Sequence, residues 1–479
     1  MKRHGSITLR PIMFGFVFLL VIALAVSTLG INRSLAYEDD ADDTLRVNTG
    51  TFPGTLDPQR SSITSEIGHL KLIYEGLTRL NTDLETLPAA AESWAYNLDA
   101  TEIVFTLREG LTYSDDSVLN AKRFEYSLLR TLDPNLQTPL WSYLADIIGA
   151  NEYATADVGA LTPEELETLR DAVQVKAYTM EDEICESYTD PECRLLKIGL
   201  THAATYFHTI MSTVVTYPAK EELIESGGDT WHEDTANHVG NGPFILNSMD
   251  AATTSFFIPN SHYWRGIPSY NIAYSYISDP AVALDLFTKN DLDILPVSAA
   301  ISSTVADDPL LSSQAHYYNG SCTTAVMYHN LVAPFDNPKI RAAFAYAFDR
   351  QAWVEEALGG TALPTLTWIP EGMPGFDATE TRWDYDPAAA LQALSESGYT
   401  VEDGALIGPD TEPVEILDSF YYSETNISRH TWLAEQWQEV LGIEITLNPV
   451  DMDTLNALRS DLSTMSPLYI NGWCAEVPH

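Results

Sequence analysis

Apolar positions along this chain switch repeatedly between strand-like alternation and helical spacing. After an acidic stretch from Glu38 to Asp43, Leu45 to Asn48 reads as a strand. Ile63, Ile67, Leu70 and Tyr74 then recur at helical spacing behind Ser61 or Ser62 as a cap. Ile103, Phe105 and Leu107 alternate with Glu102, Thr106 and Arg108, the pattern of a half-buried strand. Asn120 caps a helix carrying Phe124 and Leu128 that stops before Asp133-Pro134. Asn337-Pro338 starts a helix with Ile340, Phe344, Ala347 and Phe348 on one face, and Asp386-Pro387 starts another, closed by Gly398. Leu433, Trp437, Val440 and Leu441 mark a further helix, after which Gly442 releases the chain into an alternating strand through Ile443, Ile445 and Leu447. Helix followed by strand, repeated, predicts α/β layers, and 479 residues predict two or three domains.

The N-terminus follows a different pattern. Lys2, Arg3 and Arg10 precede an uncharged apolar run from Pro11 to Ile31, and Ser34-Leu35-Ala36 places small residues where a signal peptidase reads. Residues 1–36 are therefore expected to be a secretory signal cut after Ala36. The alternative is an uncleaved anchor, since the run approaches the roughly 20 residues that span a bilayer. Either way the rest of the chain is expected outside the cytoplasm.

Composition sharpens this picture. The formal net charge is −43, and loss of the leader removes four basic charges and no acidic one. Such a surface repels phosphates, which argues against nucleic acid as a partner. The field favours cationic ligands, but plain solvated acidity, as an adaptation to salt or acid, is the better-supported reading of it. Four cysteines in an exported chain are disulfide candidates with three possible pairings. Cys185 and Cys193 bracket a short polar turn suited to a local staple, which leaves Cys322 with Cys474. A metal site is the alternative reading, but no C-x-x-C pair or nearby histidine cluster accompanies them. No cofactor or metal is expected. Nucleophile-elbow, zinc-protease, P-loop and dinucleotide signatures are absent from the sequence, so the expected chemistry is recognition and not catalysis. A glycosidase-like carboxylate pair assembled in space is the remaining enzymatic reading.

Short segments in collinear order then carry a resemblance. They are Thr55-Leu56-Asp57-Pro58; Tyr74-Glu75-Gly76-Leu77; Ala91-Glu92-Ser93-Trp94; Phe105 to Gly110 with Tyr113-Ser114-Asp115; Asn241-Gly242-Pro243-Phe244; Pro334 to Asn337 with Ile340-Arg341 and Asp349-Arg350; and Gly472-Trp473-Cys474-Ala475. From about Leu45 onward the chain resembles the oligopeptide- and dipeptide-binding proteins of ABC importers, solute-binding family 5. The resemblance implies an α/β fold of the periplasmic-binding-protein type, class II, a three-domain clam-shell with a hinge between two lobes. It implies domain I at 37–74 with 219–316, domain II inserted at 75–218, and domain III at 317–479. It also implies capture of a peptide in the interlobe cleft by a monomer that delivers it to membrane permease subunits. A secreted hydrolase or a solute sensor reusing the fold, or a binder of a non-peptide solute, is the alternative.

The resemblance assigns site residues unevenly. Glu476 stands where peptide binders of the family usually place the Asp that grips the ligand ammonium. Its alternative is a solvated carboxylate. Gly472, Trp473 and Cys474 would form the strand lining the cleft, with Trp473 otherwise a core ring. Thr64 and Leu140 fall at ligand-contacting positions, Leu140 in place of an aromatic. Asp451 likewise replaces an aromatic, and no Arg or Lys directly precedes Gly472 to meet a ligand carboxylate. The Cys322–Cys474 pair matches a bridge of the oligopeptide-binding branch. Relatives continue past the Gly-Trp-x-Ala segment, whereas this sequence stops at His479. The resemblance therefore implies a C-terminally truncated domain III with exposed apolar surface and marginal stability.

Overall fold

The computed structural model describes residues 43–317, 320–460 and 462–474, and the leader expectation for residues 1–36 lies outside them. Three hydrophobic cores organise the chain, each built on its own four-stranded sheet. In the first, strand Thr44–Asn48 runs parallel to Asn271–Ser275, which continues antiparallel into Thr254–Pro259 and Phe244–Asp250. Helix Thr64–Ile73 supplies Leu70 and Ile73 to this core, together with Val214, Val215 and Tyr217.

The second sheet is wholly antiparallel, in the order Ala91–Tyr96, Glu102–Leu107, Leu195–Gly199, Val175–Tyr178. Ile103, Phe105 and Leu107 are buried while Glu102 is exposed, as the alternation requires. Helix Ala121–Thr131 adds Phe124 and Leu128, both with no exposed surface. Each such side chain contributes about 1.5–3 kcal/mol by leaving water.

The third sheet has the order Cys322–Tyr328, Leu468–Cys474, Leu417–Tyr421, Thr446–Val450. Helices Pro338–Tyr346, Pro387–Ser395 and Glu424–Leu441 cover its core, which holds Phe344, Leu433 and Trp437. Gly442 ends the long helix at φ +73°, a left-handed turn that favours glycine. Among the described residues no helix is long and apolar enough to cross a membrane.

Local details differ from expectation where polar side chains found better partners. Neither Ser61 nor Ser62 is the first helix's cap. Ile63 takes that position, and the buried Glu66 carboxylate accepts from the backbone N–H groups of Thr55 and Ser62 at 3.1 Å. Asn120 stands at its helix start without a side-chain cap, and its amide nitrogen donates to the Ser187 and Asp190 carbonyls. The strand expected through Ile443 and Ile445 begins only at Thr446, since Ile443 is spent filling the core beneath the helix.

Two of the recognition segments meet where the chain passes between the first and second cores. The Asn241 side chain both accepts from the Glu75 N–H at 3.0 Å and donates to the Glu75 carbonyl at 2.9 Å. Gly242 N–H donates to the Ile73 carbonyl at 2.8 Å. A Cβ on Gly242 would lie 2.6 Å from the Ile73 carbonyl carbon and 2.7 Å from the Leu72 oxygen. Glycine is what lets the two backbones approach this closely.

Candidate functional site

Strand Leu468–Cys474 pairs along its whole length with Cys322–Tyr328, in the register Cys322 to Cys474 and Tyr328 to Leu468. On its other side it meets Leu417–Tyr421 only at Leu468, opposite Asp418. Beyond Leu468 that edge has no strand partner among the described residues.

The parity of the ladder fixes which residues face the open edge. His329 N–H donates to the Pro467 carbonyl at 2.8 Å, so residue 467 turns its polar groups toward the Cys322 strand. In an antiparallel ladder, alternate residues do the same. Asn471 and Trp473 therefore bond inward, and Ile470, Gly472 and Cys474 present their N–H and C=O groups outward. The Cys322–Cys474 disulfide falls on a closely spaced pair of this ladder, with Cα atoms 3.8 Å apart.

Charge near this edge comes from an unexpected residue. Arg459, on helix Met452–Ser460, donates from Nη2 to the outward Ile470 carbonyl at 3.1 Å, and its guanidinium lies 5.5 Å from the centre of the Tyr469 ring. Among the described residues its Nε has no hydrogen-bond partner and no carboxylate pairs with it. Asp451 holds the start of that helix, accepting from the Thr454 N–H at 2.9 Å and its hydroxyl at 2.8 Å. No sequence signal marked Arg459, because it stands well before Gly472 and only the fold of the helix onto the sheet brings it to the edge.

The expected residues separate into two groups. Gly472, Trp473 and Cys474 lie together on the exposed end of the strand, and Trp473 is 51% exposed, which excludes the core reading for that ring. Thr64 is exposed at the first turn of helix Thr64–Ile73, and Leu140 packs half-buried against the same first core. Thr64 and Leu140 thus belong to the first sheet's assembly and Gly472 to Cys474 to the third. Glu476 lies outside the described residues. A separate polar groove of about 500 Å³ runs between Asp83 to Thr86, His208 and Thr209 on one side and Gly372 to Pro374 on the other. None of the expected residues lines it.

Both expected disulfides are present. Cys185–Cys193 is buried in the second core, whereas Cys322–Cys474 is exposed. Among the described residues, no three His, Cys, Asp or Glu side chains are grouped to hold a metal ion.

Known proteins share this architecture. The Bacillus subtilis oligopeptide-binding protein OppA is 25% identical over 457 residues, covering 94% of this chain and 78% of the relative. The Escherichia coli periplasmic murein peptide-binding protein MppA is 24% identical over 413 residues, covering 84% and 70%. The solved structure of the Escherichia coli murein tripeptide-binding protein superposes with a TM-score of 0.71 at 21% identity, covering 92% of this chain and 81% of that one, which shows the fold. A family model for bacterial extracellular solute-binding proteins, family 5 Middle, matches residues 85–479. With that match extending over most of its length, the chain belongs to the family 5 bacterial extracellular solute-binding proteins.

Proposed function

We propose that this chain is the extracytoplasmic binding component of an ABC importer and that it captures peptides between its lobes. The observation that carries the reading is the edge without a strand partner beyond Leu468, where Gly472 and Cys474 turn their main-chain groups outward. An extended peptide adds to such an edge through its main chain, which gives affinity without reading side chains. Side chains of different shape then sit in hydrated space where waters bridge to the walls.

The ligand's polarity follows from charge. Glu476 keeps the alternate spacing of Gly472 and Cys474 in the sequence and takes the ligand ammonium. Arg459 offers its guanidinium to a ligand carboxylate at the Ile470 end, the role for which no cation directly precedes Gly472. Trp473 lines the cleft from the same strand, and Thr64 and Leu140 contact the ligand from the opposite lobe when the hinge closes.

Three domains follow the three cores, 37–74 with 219–316 as the first lobe, 75–218 as the insertion and 317–479 as the second lobe, with Val214, Val215 and Tyr217 of the insertion packing back into the first core. Binding without turnover, action as a monomer and delivery to membrane permease subunits complete the proposal.

The test is to purify the exported chain gently, denature it and identify what it releases by mass spectrometry. Peptides with free amino termini are the expected result. A bound solute with no amide backbone would overturn the peptide reading.

A further inference from the structure

The two disulfides of this chain differ in a way that bears on the ligand strand. Cys185 and Cys193 are 1% and 0% exposed, within the second core. Cys322 and Cys474 are both exposed, and they tie the two strands together at the end of the ladder, next to the outward groups of Gly472.

We infer that Cys322–Cys474 is a redox-addressable clamp on the ligand edge, opened by dithiol reductants while Cys185–Cys193 stays closed. The inference rests on the peptide-capture reading only for its effect on binding. In the first step a reductant thiolate attacks one Sγ, forming a mixed disulfide and releasing the other cysteine as thiolate. The reductant's second thiol then resolves the mixed disulfide. The reductant leaves as its own disulfide, two electrons pass to the protein, and both cysteines end as thiols after protonation. This attack needs access to a sulfur, so exposure decides which bridge reacts.

Position decides the consequence. From Tyr469 onward the strand has one neighbour, the Cys322 strand, and the bridge closes the last pair of that ladder. Strand ends held by few contacts open most readily. Without the bridge the terminal pairs Thr323 to Trp473 and Thr324 to Gly472 fray, and the outward row of donors and acceptors loses its fixed spacing. The edge is then no longer organised before the ligand arrives, and an edge that must be ordered on binding has lower affinity.

The experiment titrates the folded, oxidised exported chain with dithiothreitol under native conditions. Thiols are alkylated and mapped by mass spectrometry, and backbone hydrogen exchange is followed over residues 468–474. Trialanine affinity is measured alongside by calorimetry. Cys322 and Cys474 are expected to label at reductant concentrations at least tenfold below those that label Cys185 and Cys193. Exchange at the inward Asn471 and Trp473 amides is expected to accelerate with that labelling, and trialanine affinity to fall at least tenfold. Equal labelling of the two pairs, or earlier labelling of Cys185 and Cys193, overturns the selectivity. Selective labelling with unchanged exchange overturns the clamp. A chain that never binds trialanine counts against peptide capture, while labelling and exchange still decide the clamp. The variant C185S/C193S should keep the same response at Cys322–Cys474, and its loss there would also overturn the proposal.

Discussion

Asp57 has no exposed surface, and its carboxylate accepts from Arg130 at 2.6 and 2.7 Å and from Trp231 Nε1 at 3.1 Å. Burial by itself raises this carboxyl's pKa, but the bonds and charge of Arg130, with Trp231 and the Gln59 amide, outweigh it and hold it below 3.8. A carboxyl whose folded pKa lies below its unfolded value contributes stability above about pH 4 and loses it as pH falls through the folded value. Removing one partner of such a buried pair costs about 3–5 kcal/mol. Arg130→Met is therefore expected to lose about that much at pH 7 by urea unfolding, with the gap to wild type narrowing as pH falls toward the depressed folded-state value of Asp57. A gap that stays constant with pH would show that the loss is packing alone. The proposed role of Glu476 is tested by a related argument, since a charge at the ligand's ammonium counts only when that ammonium is bound. Glu476→Gln should weaken trialanine about tenfold or more, roughly 1.4 kcal/mol, in calorimetric titration. The exposed Glu402→Gln is the control, and equal affinities for the two variants would remove Glu476 from the site.

At the scale of elements, the crossing between the first and second cores depends on backbone proximity. Gly242→Ala puts a methyl group 2.6 to 2.7 Å from main-chain atoms of Leu72 and Ile73, which cannot move aside like a side-chain tip. Overpacking of this kind costs about 1–3 kcal/mol. A lowered melting temperature with an unchanged far-UV spectrum is the expected result, and an unaltered melt would mean that the crossing relaxes freely. The same crossing explains what the sequence made legible. Asp57, Glu75, Asn241 and Gly242 all belong to the segments that carried the resemblance, and in the fold their hydrogen bonds hold the frame. Helices with strong punctuation were also readable: Asp386-Pro387 and Asn337-Pro338 open theirs with side-chain caps on the following N–H groups. Ser61 and Ser62 do not cap because the cap position falls one residue later, at Ile63, with the Ser62 N–H held by the buried Glu66 carboxylate. Ile443 and Ile445 alternate like a strand, yet core filling, not pairing, takes Ile443. The strand at Gly472 was named from resemblance. Its open edge and the reach of Arg459 depend on tertiary pairing, which no local pattern encodes.

For the whole molecule, two electrostatic effects oppose each other as pH falls. With 68 acidic and 25 basic residues the folded chain repels itself, and partial protonation of solvated carboxylates near pH 4–5 relieves that repulsion. Buried histidines act in the other direction. His69 is held between the Ser65 carbonyl at 2.7 Å and the Tyr276 hydroxyl at 3.0 Å, and His238 bonds the His232 carbonyl at 2.8 Å. Burial lowers both from 6.5 to about 4, against the weaker opposing pull of those carbonyls. Between about pH 6.5 and pH 4 the unfolded chain binds protons that the folded chain refuses, so stability rises with pH there and is lost on acidification. The loss is on the order of 3 kcal/mol for each histidine across the window. Salt separates the two effects, because it screens the diffuse repulsion while leaving buried rings unaffected. In about 1 M NaCl, where the Debye length is about 3 Å, calorimetric melts should fall steadily from pH 7 to pH 4.5. In dilute buffer the fall should be shallower, since relieved repulsion offsets part of it. His69 packs against Phe257 and Tyr274 of the first sheet and His238 against Trp231, so a transition that exposes these rings should move most. A slope shared equally by every transition, or one that disappears in high salt, would assign the pH dependence to net charge instead of to these two side chains.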